Sequence, residues 1–134
     1  MPRSKERTQM LADVVVTAVE SGHYGIAYWC DIADYKFTED TTHPNGLMGP
    51  IIDATCEVKE TGKSTATWKK VDLNLIAKGM NRICKGTLIN QDRLSEDQYS
   101  WIKEANEVND FMNMDADSAD LIIQAGLFNE IIYS

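Results

Sequence analysis

The segment that decides the fold is Asp115–Tyr133, which has the sequence DADSADLIIQAGLFNEIIY. It begins with acids and Ser118, which suit the start of a helix because unpaired N–H groups and the positive end of the helix dipole lie there. Leu121–Phe128 is apolar on nearly every side of a helix, with Gln124 as the interruption. Such a helix is buried on most of its circumference, and it is too short to span a bilayer, which takes ~20 apolar residues. The segment therefore predicts a central core helix over residues 117–128.

The length and composition of the chain indicate one ordinary domain. With 134 residues, of which 43% are hydrophobic, it can bury a core without disulfides or metals. The N-terminal MPRSKERTQM is charged and does not resemble a signal peptide. Three widely spaced cysteines favour reduced, buried thiols. We therefore expect a single cytoplasmic domain over residues 1–134.

Negative charge is concentrated in the last third of the chain. The net charge is −8, and residues 1–88 carry equal numbers of acids and bases. Residues 89–134 carry ten acids against Arg93 and Lys103, so they account for the whole imbalance. Between Lys59 and Lys85 bases predominate instead. The sequence therefore predicts an electrically polarised molecule.

Hydrophobic periodicity predicts four helices and a small antiparallel sheet. The helices are predicted over residues 5–20, 73–85, 95–110 and 117–128. The strands are predicted over residues 24–37, 51–60 and 64–71, with residues 130–133 free to add a fourth at the C-terminal end. We expect an α+β fold in which the helices pack on one face of the sheet and the last helix is innermost.

Capping and turn residues support these boundaries. Helix ends are indicated by Gly22, Asp72, Gly86 and Asn129, and a capping box by Ser95 with Gln98. Residues 38–50, TEDTTHPNGLMGP, predict a long exposed loop, and Glu60–Lys63 predicts a hairpin turn.

The strand over residues 24–37 changes phase along its length. One face carries Ile26, Tyr28, Cys30 and Ile32, whereas Tyr35 and Phe37 have the opposite phase. A bulge or bend near Ala33–Asp34 would reconcile the two sets, because one extra residue reverses the facing of all that follow.

The helix over residues 95–110 is predicted to be amphipathic. Its apolar side is predicted to carry Leu94, Trp101, Ala105, Val108 and Met112. At 100° per residue the opposite side carries Lys103 and an acidic set, Glu96, Asp97, Glu104, Glu107 and Asp110. This acidic set is the predicted partner-binding surface.

No motif for catalysis, a metal or a cofactor is complete. Gly62-Lys63-Ser64 lacks the second glycine of a phosphate-binding loop, since Glu57 occupies its position. A calcium loop from Asp115 would need glycine where Asp120 stands, and the cysteines and histidines lack zinc-site spacing. The bases are divided between a hairpin and a helix, so direct nucleic-acid binding is not expected. We predict no catalytic residue, no metal and no cofactor.

Three stretches together resemble a known group of proteins. They are Thr17–Gly22 (TAVESG) leading into Tyr24–Trp29 (YGIAYW), Asp72–Ile83 (DLNLIAKGMNRI) and Asp115–Tyr133. They resemble small uncharacterised proteins of bacteriophages and of bacterial mobile elements. The resemblance implies a setting, an accessory protein inside a bacterial cell, and no activity or site residue.

The leading functional hypothesis is a non-enzymatic binding protein. It would engage a host protein, for example as an antagonist of host defence, through the acidic side of the helix over residues 95–110. The charge segregation, the lack of catalytic motifs and the implied setting support this hypothesis.

Two alternatives remain open. The first is a small-ligand protein for nucleotide-like molecules, with a pocket of aromatic walls and cations built from Tyr24, Tyr28, Trp29, Trp68, Lys69 and Arg82. The second is an enzyme of unrecognised type, whose candidate groups are His23, His43, Cys30 and Cys84.

Overall fold

A computed structural model of the protein describes residues 3–41, 49–111 and 115–134. Within these ranges the fold is α+β, with four helices and a three-stranded antiparallel sheet. The elements, in chain order, are α1 (Lys5–Glu20), β1 (Cys30–Glu39), β2 (Ile51–Glu60), β3 (Lys69–Val71), α2 (Leu73–Lys85), α3 (Glu96–Val108) and α4 (Ala116–Phe128). Short 3₁₀ turns cover Gly22–Tyr24 and Gln91–Arg93.

The sheet has the order β1-β2-β3, and β2 lies between its two antiparallel neighbours. Ala33 pairs with Glu57 and Lys36 pairs with Thr55, so two residues of β1 oppose Cys56 alone. One of the two, Asp34, has a φ of 53°. This is the bulge that the phase change in the sequence predicts, and it is confirmed.

Helix α4 is the most deeply buried element, and every residue from Ser118 to Gly126 is buried. It packs chiefly on α2 and α1, whereas α1 makes the extensive helix contact with the sheet at β2. The last helix is therefore innermost, as predicted, but other helices enclose it. The sheet is covered mainly by α1, through its own buried side chains.

Two glycines allow α2 and α4 to approach closely. A Cβ atom at Gly79 would overlap the carbonyl oxygen of Ile122, and one at Gly126 would press on Leu75. The backbones of the two helices are therefore almost in contact at this crossing. Larger residues at either position would separate the helices.

Local signals predicted the helix ends well. Asp72 accepts from the backbone N–H of Leu75 at 2.9 Å, and Ser95 forms the predicted capping box with Gln98. Gly86 and Asn129 adopt the left-handed conformation that ends α2 and α4. These caps depend on residues within one turn, which is why the sequence alone indicates them.

The first strand begins at Cys30, so the predicted start at residue 24 is wrong. Residues 22–29 form turns that fold back on the end of α1, where the N–H of Ile26 donates to the carbonyl of Ala18 at 3.1 Å. Gly25 lies so close to Ala18 that a Cβ atom would overlap that carbonyl. Contact with α1 overrides the strand propensity of the aromatic residues here.

The third strand is also shorter than predicted, because only Lys69–Val71 pairs with β2. Residues 61–68 form a longer connection in place of the predicted tight hairpin, with a turn from Lys63 to Ala66. Ser64, Thr65 and Thr67 are small polar residues, so pairing them would bury little apolar surface.

The core side of α3 differs from the predicted one. Ile102 and Ala105 are buried, whereas Trp101 and Val108 are 42% and 59% exposed. Trp101 and Ile102 are adjacent apolar residues 100° apart on the helix. The hydrophobic periodicity alone does not indicate which of the two faces the core. Met112 lies outside the described residues.

Residues 130–133 do not form a fourth strand, and side-chain amides bind them instead. The amide of Asn90 exchanges two hydrogen bonds of 2.8 Å with the backbone of Ile131. Gln124 Oε1 accepts from the N–H groups of Ile132 and Tyr133. In the predicted loop over 38–50, Thr38 and Glu39 belong to β1, and residues 42–48 lie outside the described residues.

The close crossing of α2 and α4 makes a prediction about Gly79. Glycine to alanine inside a helix ordinarily stabilises it by about 1 kcal/mol. At this crossing we expect the opposite effect, because the added methyl group would overlap the backbone of α4. Gly79→Ala should lower the free energy of unfolding by about 1–3 kcal/mol. Urea unfolding measures the change, with the exposed neighbour Lys78→Ala as the control. A Gly79→Ala protein as stable as the wild type would contradict the close approach.

Candidate functional site

The outer face of α3 carries an exposed row of carboxylates. Glu96, Asp97, Glu104 and Glu107 are all solvent-exposed, as the sequence predicts. The ion pairs found among the described residues join Lys5 to Asp40 and Lys63 to Glu60, and neither involves α3. Lysines of the β2–β3 connection therefore do not neutralise this face.

Exposed apolar side chains lie among these carboxylates. Trp101 and Val108 share one side of α3 with Asp97 and Glu104, because spacings of four, three and four residues return to the same side. The prediction that these two acids lie opposite Trp101 and Val108 is therefore wrong. The result is a stripe in which acidic and apolar residues alternate, Asp97–Trp101–Glu104–Val108. We refer to these four residues as the α3 stripe.

The α3 stripe ends at an acidic cavity of about 310 Å³ between α1 and the end of α3. Glu6, Asp13 and Asp110 contribute carboxyl groups to its lining, and Val108 is shared with the stripe. Burial raises the pKa of Asp13, and the neighbouring charge of Asp110 raises it further. Carboxyl groups are therefore close together in this cavity, while Arg7 donates to the carbonyl of Asn106 and to Asn109 Oδ1 at the same end of the helix.

A second polar arrangement lies inside the molecule, around Asp120. This carboxylate is only 5% exposed, and it accepts from Tyr28 Oη at 2.5 Å, Trp29 Nε1 at 2.8 Å and Gln124 Nε2 at 2.9 Å. Burial raises the pKa of Asp120, whereas the three donated hydrogen bonds oppose that effect. Burial and the bond to Asp120 also raise the pKa of Tyr28.

The C-terminal residues close around this buried centre. Tyr133 stacks on Trp29, with ring centroids 5.1 Å apart and planes within 5°. Its hydroxyl donates to the buried carboxylate of Glu60 on β2. That hydrogen bond, with burial second, raises the pKa of Tyr133 to about 12. Helix α4, the sheet and the chain end are thus joined by carboxylates that accept from aromatic side chains.

Asp120 is not among the site residues that the sequence predicts, because it stands there as one of several acids at a helix start. A signal was nevertheless present. Asp120 and Gln124 are polar residues four positions apart on a helix that is otherwise apolar nearly all round. Polar groups inside such a helix need partners within the protein, and these two bind each other.

The residues of the predicted ligand pocket are dispersed. Tyr28 and Trp29 meet at Asp120, but Tyr24 is 83% exposed. Arg82 donates to the carbonyl groups of Ala125 and Gly126 at the end of α4. Trp68 is 46% exposed with the Lys59 ammonium 5.3 Å from its ring centroid, and Lys69 is exposed on β3.

The thiols are poorly suited to nucleophilic chemistry. Burial raises the pKa of Cys30 and of Cys56 to about 12. Cys84 lines a cavity of about 390 Å³ between α2 and α3, and burial raises its pKa as well. A thiol with a raised pKa stays protonated at neutral pH and reacts slowly. His23 is exposed on the first 3₁₀ turn, and His43 lies outside the described residues.

Comparisons with known proteins leave the family open. The chain matches no protein-family model, no curated protein and no solved structure. In the described ranges no group of three or more histidine, cysteine or acidic side chains is arranged to hold a metal ion. None of the helices in those ranges has the length and apolarity that a membrane crossing requires.

The buried centre makes a prediction about Asp120. Asp120→Ala leaves three donors without an acceptor, and we expect it to lower the free energy of unfolding by about 3 kcal/mol. Asp120→Asn keeps an acceptor oxygen for Trp29 and Gln124 and offers an N–H group to the Tyr28 hydroxyl. It should therefore lower the free energy of unfolding by clearly less than Asp120→Ala does. Urea unfolding at neutral pH compares the two variants. Equal losses would show that hydrogen bonding at Asp120 is not what stabilises the fold.

The bond between Tyr133 and Glu60 makes a prediction about alkaline stability. The folded protein holds the phenol proton of Tyr133 more tightly than the unfolded chain does. The contribution of this hydrogen bond to the free energy of unfolding is therefore complete below pH 10 and is lost as the pH rises toward about 12. The difference in urea midpoint between the wild type and Tyr133→Phe should therefore shrink over that interval. Tyr24→Phe, at an exposed ring, is the control. A difference that stays constant up to pH 12 would contradict the assigned bond.

Proposed function

We propose that this protein is a non-enzymatic binding protein that engages a basic surface of a partner protein through the outer face of α3. The observation that carries the proposal is the α3 stripe, where exposed apolar side chains alternate with unneutralised carboxylates. The stripe differs from the purely acidic outer side of an amphipathic helix, because Trp101 and Val108 are both exposed among the acids.

The two kinds of side chain in the stripe support different parts of binding. Carboxylates steer a positively charged partner toward the face and reject acidic ones. Trp101 offers a large apolar surface of the type that supplies most of the binding energy in protein interfaces. A partner with basic residues around an apolar patch would complement both.

The acidic cavity at the end of the stripe extends the same chemistry. Glu6, Asp13 and Asp110 belong to α1 and to the chain after α3, so two segments far apart in sequence contribute carboxylates to this cavity. A lysine or arginine of the partner entering there would counter the charge of Asp110, which adds to the effect of burial in raising the pKa of Asp13. The proposed interface therefore runs along α3 and ends at α1.

The resemblance to phage and mobile-element proteins suggests what such a partner is. In that setting the basic surface would belong to a host protein of a bacterial cell, for example one that binds nucleic acid. Carboxylates on a helix can occupy a surface that otherwise holds phosphates. An antagonist of that host protein is the role this chemistry supports best.

Two variants of the α3 stripe test the proposal. Asp97→Asn with Glu104→Gln removes two charges, and we expect partner capture from bacterial lysate to fall a few-fold, because each rim charge contributes about 0.2–1 kcal/mol. Trp101→Ser should reduce capture about 30-fold or more, as for an interface hot spot of about 2 kcal/mol. Capture is quantified by mass spectrometry at low and at high salt.

The control removes the same number of charges from the outer face of the sheet, by Asp53→Asn with Glu57→Gln. It should capture the same proteins as the wild type at both salt concentrations. The α3 charge variant should also lose part of the salt dependence, because ions screen exposed charges over about 8 Å at physiological strength. Unchanged capture by both α3 variants would rule the proposal out.

A further inference from the structure

A small cavity of about 180 Å³ lies beside Asp120 and extends to Gln98 in the first turn of α3. Its lining includes Asp117, Asp120, Arg93 and Gln98, together with Tyr133 and Ser134. Asp120 is buried, whereas Asp117 and Arg93 are exposed. The cavity therefore has one carboxylate in its interior and charges of both signs closer to solvent.

Asp120, which lines this cavity, retains acceptor capacity. A carboxylate has about four lone-pair sites, and three of those on Asp120 are occupied. Oδ1 accepts from both Trp29 and Gln124, but Oδ2 accepts only from the Tyr28 hydroxyl. One further donor can therefore bind Oδ2 without displacing a bond of the fold.

The protein itself does not neutralise the charges around the cavity. In the part of the chain that the structure describes, the side chains of Arg93 and Asp117 take part in no ion pair and no hydrogen bond. Asp120 has three donors but no cationic partner there. Opposite charges thus line one small space without pairing with each other.

Each simple ion would satisfy only half of this arrangement. A plain cation meets Asp117 and Asp120 but leaves Arg93 unmatched, and a plain anion meets Arg93 but is repelled by two carboxylates. A molecule with both charges close together satisfies all three groups. The amide NH₂ of Gln98 can add a donor for the anionic end, because its Oε1 is already used by the backbone of Ser95.

We propose that this cavity binds a small zwitterion with adjacent ammonium and carboxylate groups, that is, a free amino acid with a small side chain. The ammonium contacts Asp117 and Oδ2 of Asp120, and the carboxylate contacts Arg93 and Gln98. A cavity of about 180 Å³ is small beside ordinary ligand pockets of about 300–1,000 Å³, which favours an amino acid with a small side chain. This site is independent of the α3 stripe.

The test measures binding of glycine, L-alanine and L-serine to the full chain by thermal shift and calorimetry near neutral pH. We expect at least one of them to raise the melting temperature with the logarithm of its concentration. Ethylammonium chloride and sodium acetate, each with one of the two charges, should bind at least about tenfold more weakly. If no amino acid binds up to high millimolar concentration, the proposal is overturned.

Exposed residues supply the variants, so folding is not at risk. Asp117→Asn and Arg93→Gln should each weaken the Kd about tenfold, as expected for loss of one charge-assisted hydrogen bond. Asp53→Asn with Lys78→Gln, which removes one exposed charge of each sign from surfaces that do not line the cavity, should leave the Kd unchanged. Wild-type affinity in both cavity variants would overturn the assignment. So would ethylammonium binding that is as tight as that of the amino acids and insensitive to Arg93→Gln.

Discussion

The structure depends on the burial of α4, because that burial forces two polar side chains to find partners inside the protein. Asp120 and Gln124 lie on a helix with no exposed side between Ser118 and Gly126. An unpaired polar group in such a place costs about 1–3 kcal/mol, so each partner matters to stability. The carboxylate and the amide therefore determine which other segments must come to α4.

Those segments are the irregular ones. Tyr28 and Trp29, in the turns before β1, donate to Asp120, and the backbone at Ile132 and Tyr133 exchanges hydrogen bonds with Gln124. Stacking of Tyr133 on Trp29 then joins the two segments to each other. Turns and a chain end that lack regular hydrogen bonding are thus ordered by one buried helix.

The same burial determines where the negative charge is displayed. Since α4 is enclosed by α1 and α2, the acids of the last third lie mainly on α3 and at the start of α4. The contact of α3 with α2 uses Ile102 and Ala105, which leaves Trp101 and Val108 in solvent beside the carboxylates. The proposed interaction surface therefore consists of α3 residues that this packing leaves exposed. The small mixed-charge cavity lies beside Asp120, which the same packing buries.

The sequence by itself determined the helices, their caps, the bulge in β1 and the segregation of charge. Each depends on neighbours within a few residues, as with Ser95 and Gln98 or the left-handed Asn129. Only the tertiary structure decided that Ile102 rather than Trp101 is buried, that residues 22–29 fold onto α1, and that residues 130–133 bind Gln124 instead of the sheet. It alone brought Asp120 to Tyr28, 92 positions away in the chain. Local periodicity carries no information about such partners, because packing between distant segments selects them.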